Sequence, residues 1–454
     1  MKKYRSFLEN ALRIWLLLIV LLAALGQVSL NKGNPAEESL CPPSFRFHCP
    51  ALAGWRFSAG GKPANLLYVA GGLYLLAWAA GSRLRPRPSP IILGAALLAA
   101  ASTVAWLLSP VPTLSWKTGL APLLVNLGIF YLVASAFARK SWRKALLAVF
   151  AAGLSLDSLA GLLLYARGTF FPQTAQRIWL SFGHPNSTGA VLVLTIPVAL
   201  ALVLSPRPAK RKTIPGLTAT LCLIVLFLTF SRTAWLSLLG GLGLLAWLLL
   251  RPRSRAILVA AAALLGLLLV WGVNVGPQNY WKERVKTFTS LGKDPNVQKR
   301  LIYWDAAWRM IQARPVFGCG PGYEVFVEAY QRRFKRVDTG EPVTAPHNGY
   351  LSLGVGTGLI GLTSFFFLLG STLFILLRRR RKLAGFERAL AAGATASLIG
   401  FLIGNIADDP LLNERVAAVF WLLLGLIAAP VAIDAEDEDA YNTLSREKRE
   451  EADV

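Results

Sequence analysis

About twelve runs of some twenty mostly apolar residues follow one another along this chain, each long enough to cross a bilayer as a helix. They lie near Leu12–Leu30, Ala64–Ala80, Pro90–Ser109, Thr118–Phe137, Ala145–Ala166, Ser187–Ser205, Ile214–Phe230, Thr233–Leu250, Ala256–Asn274, Gly349–Leu377, Arg388–Ile406 and Arg415–Ile433. Apolar residues make up 54% of the 454 positions and charged ones 16%. One soluble core cannot enclose that much apolar surface, so the bilayer is the natural solvent. The expectation is an all-α integral membrane protein of about twelve transmembrane helices.

Between the runs stand short basic clusters, "MKKYR", "SRLRPRP", "ARKSWRK", "PRPAKRK", "RPRSR" and "RRRRK", one at every second connection. This is the bias that keeps Lys and Arg on the cytoplasmic side, and it accounts for the net charge of +24 without any nucleic-acid partner. Both termini are therefore expected in the cytoplasm. The first run has a basic start but no small-residue cleavage pattern, so it reads as a span rather than a removable signal. A polytopic body over 1–433 is followed by an acidic tail, 434–454, too poor in apolar residues to pack.

The one large interruption, 276–346, falls on the external side between the ninth and tenth spans. Long loops cross regardless of charge, so its excess of Lys and Arg does not disturb the orientation. Within it, Val297–Arg314 has helix-forming composition and Pro315 ends it. Arg300, Tyr303, Trp304, Ala307, Trp308 and Ile311 recur at three- and four-residue spacing and share a face, which either lies on the membrane interface or packs on neighbouring spans. "GCGPG" (318–322) then makes a tight turn, and a second short helix, about Tyr323–Phe334, leads towards His347. Cys319 reads as a small turn residue and Cys222 as a small buried hydrophobe, whereas Cys41 and Cys49 share an external loop in which they can pair.

Polar groups on the external side carry the remaining information. Arg232, in "LTFSRTAWL", sits in a short external turn, as a snorkelling anchor or as a functional cation. "RGTFFPQTAQRIWLSFGHPNSTG" brings Arg177, His184 and Asn186 to the same side, with Asn186 at a helix start suited either to capping or to an anion. Asp157, inside the fifth span, is expected to face the bundle. The three histidines show no paired ligand spacing, so neither a metal nor a cofactor is expected, and no Gly-rich phosphate loop precedes a Lys. What is left is a chemistry of arginines and one histidine: guanidinium forks on Arg232, Arg300 and Arg177 fit the oxygens of a diphosphate, and His347 is placed to take a proton from an attacking hydroxyl.

The pieces "SRTAWL", "KRLIYWDAAWRMIQARPVFGCGPGYEVF" and "APHNGYLSLGVGTGLIGL", with "GHPNSTGAVL" before them, resemble the O-antigen ligase and polymerase family of bacterial envelope glycosyltransferases. The resemblance implies a GT-C-like, inverting, metal-independent transferase at the periplasmic face of the inner membrane. Its donor would be a glycan on undecaprenyl diphosphate, and its acceptor a lipid A core in a ligase or another lipid-linked glycan in a polymerase. It implies Arg232, Arg300 and, by a weaker match, Arg177 at the diphosphate and His347 as base; Asn186, Asn348, Tyr350, Tyr303 and Trp304 are the candidate supports around them. The compact layout, with one dominant late loop, is more like the ligases. A secondary transporter or flippase is the rival class, but no paired repeats with broken midplane helices stand out; a scaffold would not need these cations gathered on one side. The topology is testable: alkaline phosphatase fused after Gly340 should be active and fused after Arg380 inactive, and activity at both junctions would contradict the alternation.

Overall fold

The computed structural model describes residues 2–24, 73–79, 82, 84, 86, 88–166, 177–206, 208–250, 295–340, 342–380 and 382–429, and all of its regular elements are helices. In chain order these are α1 (Lys2–Ala24), α2 (73–79), α3 (Pro90–Leu107), α4 (Pro112–Ala136, with a π turn at Trp116–Leu120), α5 (Lys140–Ala166), α6 (Pro185–Leu204), α7 (Thr213–Leu228), α8 (Arg232–Leu249), α9 (Pro295–Ala313), α10 (Tyr323–Ala329, running into a π turn at Tyr330–Phe334), α11 (Gly349–Arg379), α12 (Gly385–Gly404) and α13 (414–429). Seven of the described helices, α3, α4, α5, α6, α8, α11 and α12, are long and apolar enough to cross a membrane, and α7 is a shorter apolar helix. The expected ninth span, the acidic tail, and Cys41, Cys49 and His48 lie outside the described residues.

Of the seven long apolar helices described, α6 and α12 are the most enclosed, 67% and 72% buried over their most apolar windows, and α8 packs against both. Small residues permit that closeness. A Cβ on Gly393 would come within 2.6 Å of the Val198 backbone, and one on Gly400 within 2.7 Å of the Ser237 carbonyl. Apolar side chains gain little by leaving lipid, so such backbone-to-backbone contact is what holds spans together. Pro197 lies inside α6, where its missing N–H leaves the Val193 carbonyl without a helical donor, and Ser397 on α12 donates to the adjacent Leu194 carbonyl at 2.7 Å. Freed backbone groups at membrane depth need partners of this kind.

The external loop is tied into a break in α11. Gly358 takes φ +63°, ψ −164° in mid-helix, which frees backbone groups on either side of it. Cys319 and Gly320 donate to the carbonyls of Val355 and Gly356 at 2.7 and 3.0 Å, while Leu359 donates to Pro315 at 2.8 Å. The "GCGPG" turn, with Gly318, Gly320 and Gly322 all at positive φ, thus replaces the helical bonds that α11 gives up. Burial pushes the Cys319 thiol above its usual value, as expected of a turn residue rather than a nucleophile.

The loop helix α9 packs on α11 and α10 through Tyr303, Ala306, Ala307, Met310 and Ile311, which meet Phe326, Tyr330 and Val355. Trp308 does not share this face: it is 55% exposed, and Ala306 and Met310 take the interior positions, because the helix turns the small and unbranched side chains inward. Gly358→Ala is expected to destabilise the protein by about 1–3 kcal/mol or more, since a Cβ there would stand 2.2 Å from the Val316 carbonyl oxygen. Thermal unfolding in detergent measures it, and an unchanged transition would contradict the account of the break.

Candidate active site

His347 stands two residues before the start of α11, next to its cap Asn348, and the sequence there fixes its position. Asn348 caps the helix, its Oδ1 accepting from the N–H groups of Tyr350 and Leu351 at 3.0 and 3.1 Å while its Nδ2 donates to the Ile406 carbonyl at 2.9 Å. Gly349 N–H donates to the carbonyls of Asn405 and Asp408 at 2.8 and 3.0 Å. The start of α11 is therefore stitched to the connection 405–413. A side chain at Gly349 would collide with Asn405, its Cβ 2.3 Å from Oδ1. Between this cap and the loop, His347 adopts φ +56°, a conformation uncommon outside glycine and a frequent mark of a functional position.

That conformation brings the His347 ring to Asp408, Nδ1 to Oδ1 3.8 Å, and to Tyr303 of α9, centroids 6.5 Å apart. Tyr303 is itself held by an edge-on contact with Tyr330 and a 3.0 Å hydrogen bond to Thr339. Burial, the largest influence on the Asp408 carboxyl, acts to raise its pKa. The nearby His347 ring and the Arg300 charge outweigh it, and the carboxyl ends below the ordinary carboxylate range. Arg300 and His347 thus act on one carboxylate from two elements. One turn beyond Arg300, the Trp304 Nε1–H is buried without a hydrogen-bond partner among the described residues. Tyr350 turns away from this centre: its hydroxyl donates to Leu402 at 2.7 Å and its ring stacks on Phe366.

The neighbouring residue has the opposite environment. Asp409, 8% exposed, accepts from Ser352 Oγ at 2.7 Å through Oδ1, and its Oδ2 has no partner among the described residues. Burial first, and then the Asp408 charge, push its carboxyl up to about 6. In the extended segment the two carboxylates face different ways, Asp408 to His347 and Asp409 to Ser352.

A second cluster lies beside the first. Arg177 donates to the Thr229 carbonyl at 2.7 Å and to Asn186 Oδ1 at 3.0 Å. Asn186 does not cap α6. His184 does, its Nδ1 accepting from Asn186 N–H at 3.1 Å, because Pro185 starts the helix two residues earlier than the Ser-Thr pair suggests. His184 is open to solvent on one side, yet desolvation by the protein around its ring lowers its pKa, Arg177 and His347 adding to this and Asp408 opposing. Asp157 accepts from Ser181 N–H and Oγ at 3.3 and 2.7 Å, which fixes the strap leading to His184; Arg415 donates to the Ser181 carbonyl from the other side. Arg232 opens α8 behind the Ser231 cap. Its flanking residues Ser231 and Thr233 line a narrow cleft shared with Asn186, Gly404 and Asp408.

His347 therefore stands beside Asp408 with Tyr303 against its ring, the Arg300 charge acts on the same carboxylate, and Arg177 and Asn186 pair on the adjoining strap, while Asn348 and Tyr350 serve as struts for the start of α11. Sequence reasoning missed Asp408 and Asp409, although "NIADDP" placed two acids at the end of a span in a chain with only 24 Asp and Glu. No group of three or more His, Cys, Asp or Glu placed to hold a metal occurs among the described residues.

The two acids give opposite pH signatures. The raised Asp409 pKa means that its ionisation costs stability, a deficit that grows as pH rises from the ordinary carboxylate value of about 4 to about 6 and persists above. Asp409→Asn should therefore melt above the parent at pH 8 and lose that advantage below about pH 4. The lowered Asp408 pKa instead stabilises at neutral pH and is lost as pH falls through it. An Asp409→Asn protein melting below the parent at pH 8 would contradict the environment described.

Residues 217–366 match the family model described as "O-Antigen ligase". That stretch holds Arg232, Arg300, Tyr303, Trp304, His347, Asn348 and Tyr350; Arg177, Asn186, Asp408 and Asp409 lie outside it. The chain is also 27% identical over 199 residues to a protein of Salmonella typhimurium (strain LT2) named "O-antigen ligase". That match covers 42% of this chain and about half the length of the relative, 47%. Together with the apolar helices, the two matches support membership of the O-antigen ligase family of multi-pass membrane proteins.

Proposed function

We propose that this protein is an O-antigen ligase, a glycosyltransferase that moves a glycan from undecaprenyl diphosphate to the core oligosaccharide of lipid A. The observation that carries the reading is His347 held 3.8 Å from Asp408 with Arg300 acting on the same carboxylate. In this reading 1–433 is the inner-membrane body, 276–346 its periplasmic loop and 434–454 a cytoplasmic tail, with both termini cytoplasmic.

The acceptor hydroxyl attacks the anomeric carbon of the donor sugar, and its proton passes to the His347 imidazole. The bond from that carbon to the diphosphate oxygen breaks, and the electron pair leaves with the diphosphate. Asp408 orients the ring and stabilises the imidazolium that forms. Arg300, Arg232 and Arg177 stabilise the charge growing on the departing diphosphate, with the Trp304 N–H one turn from Arg300 as a further donor. One displacement inverts the anomeric centre, and the arginines take the place a metal would have at the diphosphate. Asn186 holds Arg177 at 3.0 Å, and Tyr303 packs beside His347.

His347→Ala and Arg300→Ala should each lower glycan transfer by about 10²–10⁴-fold at unchanged abundance in the membrane. Arg300→Lys should stay impaired, because a point charge does not replace a bidentate fork. Transfer assayed with purified lipids measures both, and wild-type rates in either alanine variant would overturn the assigned roles. In a deletion strain the lipopolysaccharide should lose all distal glycan; a single remaining repeat on the core would instead mark a polymerase.

A further inference from the structure

Beside the start of α11 lies a second cavity of about 160 Å³, bounded by α3, α4, the "GCGPG" turn, α11 and α13. Two of its wall residues are buried acceptors left without partners among the described residues: Asp409 Oδ2 and Asn126 Oδ1, on residues 8% and 5% exposed. Each has its other polar atom satisfied, Asp409 Oδ1 by Ser352 and Asn126 Nδ2 by the Pro122 carbonyl, so the orphan atoms are not left by a misplaced side chain. Leaving such groups buried and unpaired costs stability, which the fold would avoid by placing an apolar residue at either position. Glu414 is also in the wall, and no Lys, Arg or His is.

These acceptors need donors, and the Asp409 carboxylate repels an anion such as a diphosphate. Trp421 and Phe365 add aromatic surface. The volume is close to the roughly 150 Å³ of a cavity that holds a single benzene ring. An uncharged six-membered ring bearing several hydroxyls has all the required properties: donors for the orphan oxygens and a C–H face for the aromatic rings. We infer that this cavity binds a sugar ring of the acceptor glycan, with hydroxyls donating to Asp409 and Asn126. The inference rests on the ligase reading and adds to it a sorting of substrates by charge. The diphosphate goes to the arginine side of the α11 start and the neutral sugar to the carboxylate side, with the adjacent Asp408 and Asp409 serving one side each.

The full chain in nanodiscs, titrated separately with lipid A carrying core but no distal glycan and with a short-chain polyprenyl diphosphate, provides the test. Asp409→Asn and Asn126→Leu should each weaken core-lipid binding by about tenfold or more and leave polyprenyl-diphosphate affinity unchanged. Unchanged core-lipid affinity in both variants would overturn the inference. Asn126→Leu should also melt no lower than the parent, since it removes an unsatisfied acceptor; a clearly lower melting temperature marks an ordinary structural asparagine and counts against it. A Ca²⁺-dependent thermal shift that Asp409→Asn abolishes would replace the sugar with a cation. If wild type binds the core lipid through these residues but not the polyprenyl diphosphate, the cavity stands and the ligase reading falls.

Discussion

The start of α11 depends on being tied to the connection between α12 and α13. Asn348 Nδ2 donates to Ile406, and Gly349 N–H is shared by the carbonyls of Asn405 and Asp408. A helix start has unpaired N–H groups; here Asn348 Oδ1 accepts from those of Tyr350 and Leu351, and a segment almost sixty residues away in sequence accepts from that of Gly349. The consequence is positional: the same few bonds that end α12 hold His347 opposite Asp408 and turn Asp409 towards Ser352. Below this junction α6, α8 and α12 are packed at backbone distance, so the platform has little room to shift.

Charge is distributed unevenly about that junction. Arg300 comes from the loop helix, Arg232 from the start of α8 and Arg177 from the strap before α6, and the cavity beside α11 has Asp409 and Glu414 but no Lys, Arg or His in its wall. In the proposed transfer, where an anionic leaving group and a polyhydroxylated nucleophile are held at once, such a separation would keep each substrate out of the other's place. The loop that contributes Arg300 is itself anchored by backbone bonds to the broken stretch of α11 at Gly358, so the cation and the base are set by one helix.

Much of this was legible in the sequence, for a physical reason in each case. Apolar run length marks spans because the bilayer demands it, and α9, α10 and the Gly-rich turn followed from local composition and Pro315. His347 and Arg300 stood out because charged groups at a membrane edge are few and costly. What escaped depends on long-range contact. The Gly358 break is stable only because Cys319 and Gly320 supply its hydrogen bonds, and nothing local in α11 announces them. The partnership of Asp408 with His347 spans separate helices, and the role of His184 as the α6 cap was hidden by the better-known capping residues beside it. Trp308 shared its periodicity with Tyr303 but not its burial.

The central claim is a single displacement at the anomeric carbon with a histidine taking the proton and arginines receiving the diphosphate. The most direct measurement is the anomeric configuration of the product formed by the purified chain from a defined polyprenyl-diphosphate glycan and a lipid A core acceptor, read by NMR in the presence of excess EDTA. The account predicts a product linkage inverted relative to the donor and formed at an undiminished rate. Retention of configuration, or loss of transfer that divalent metal restores, would contradict it.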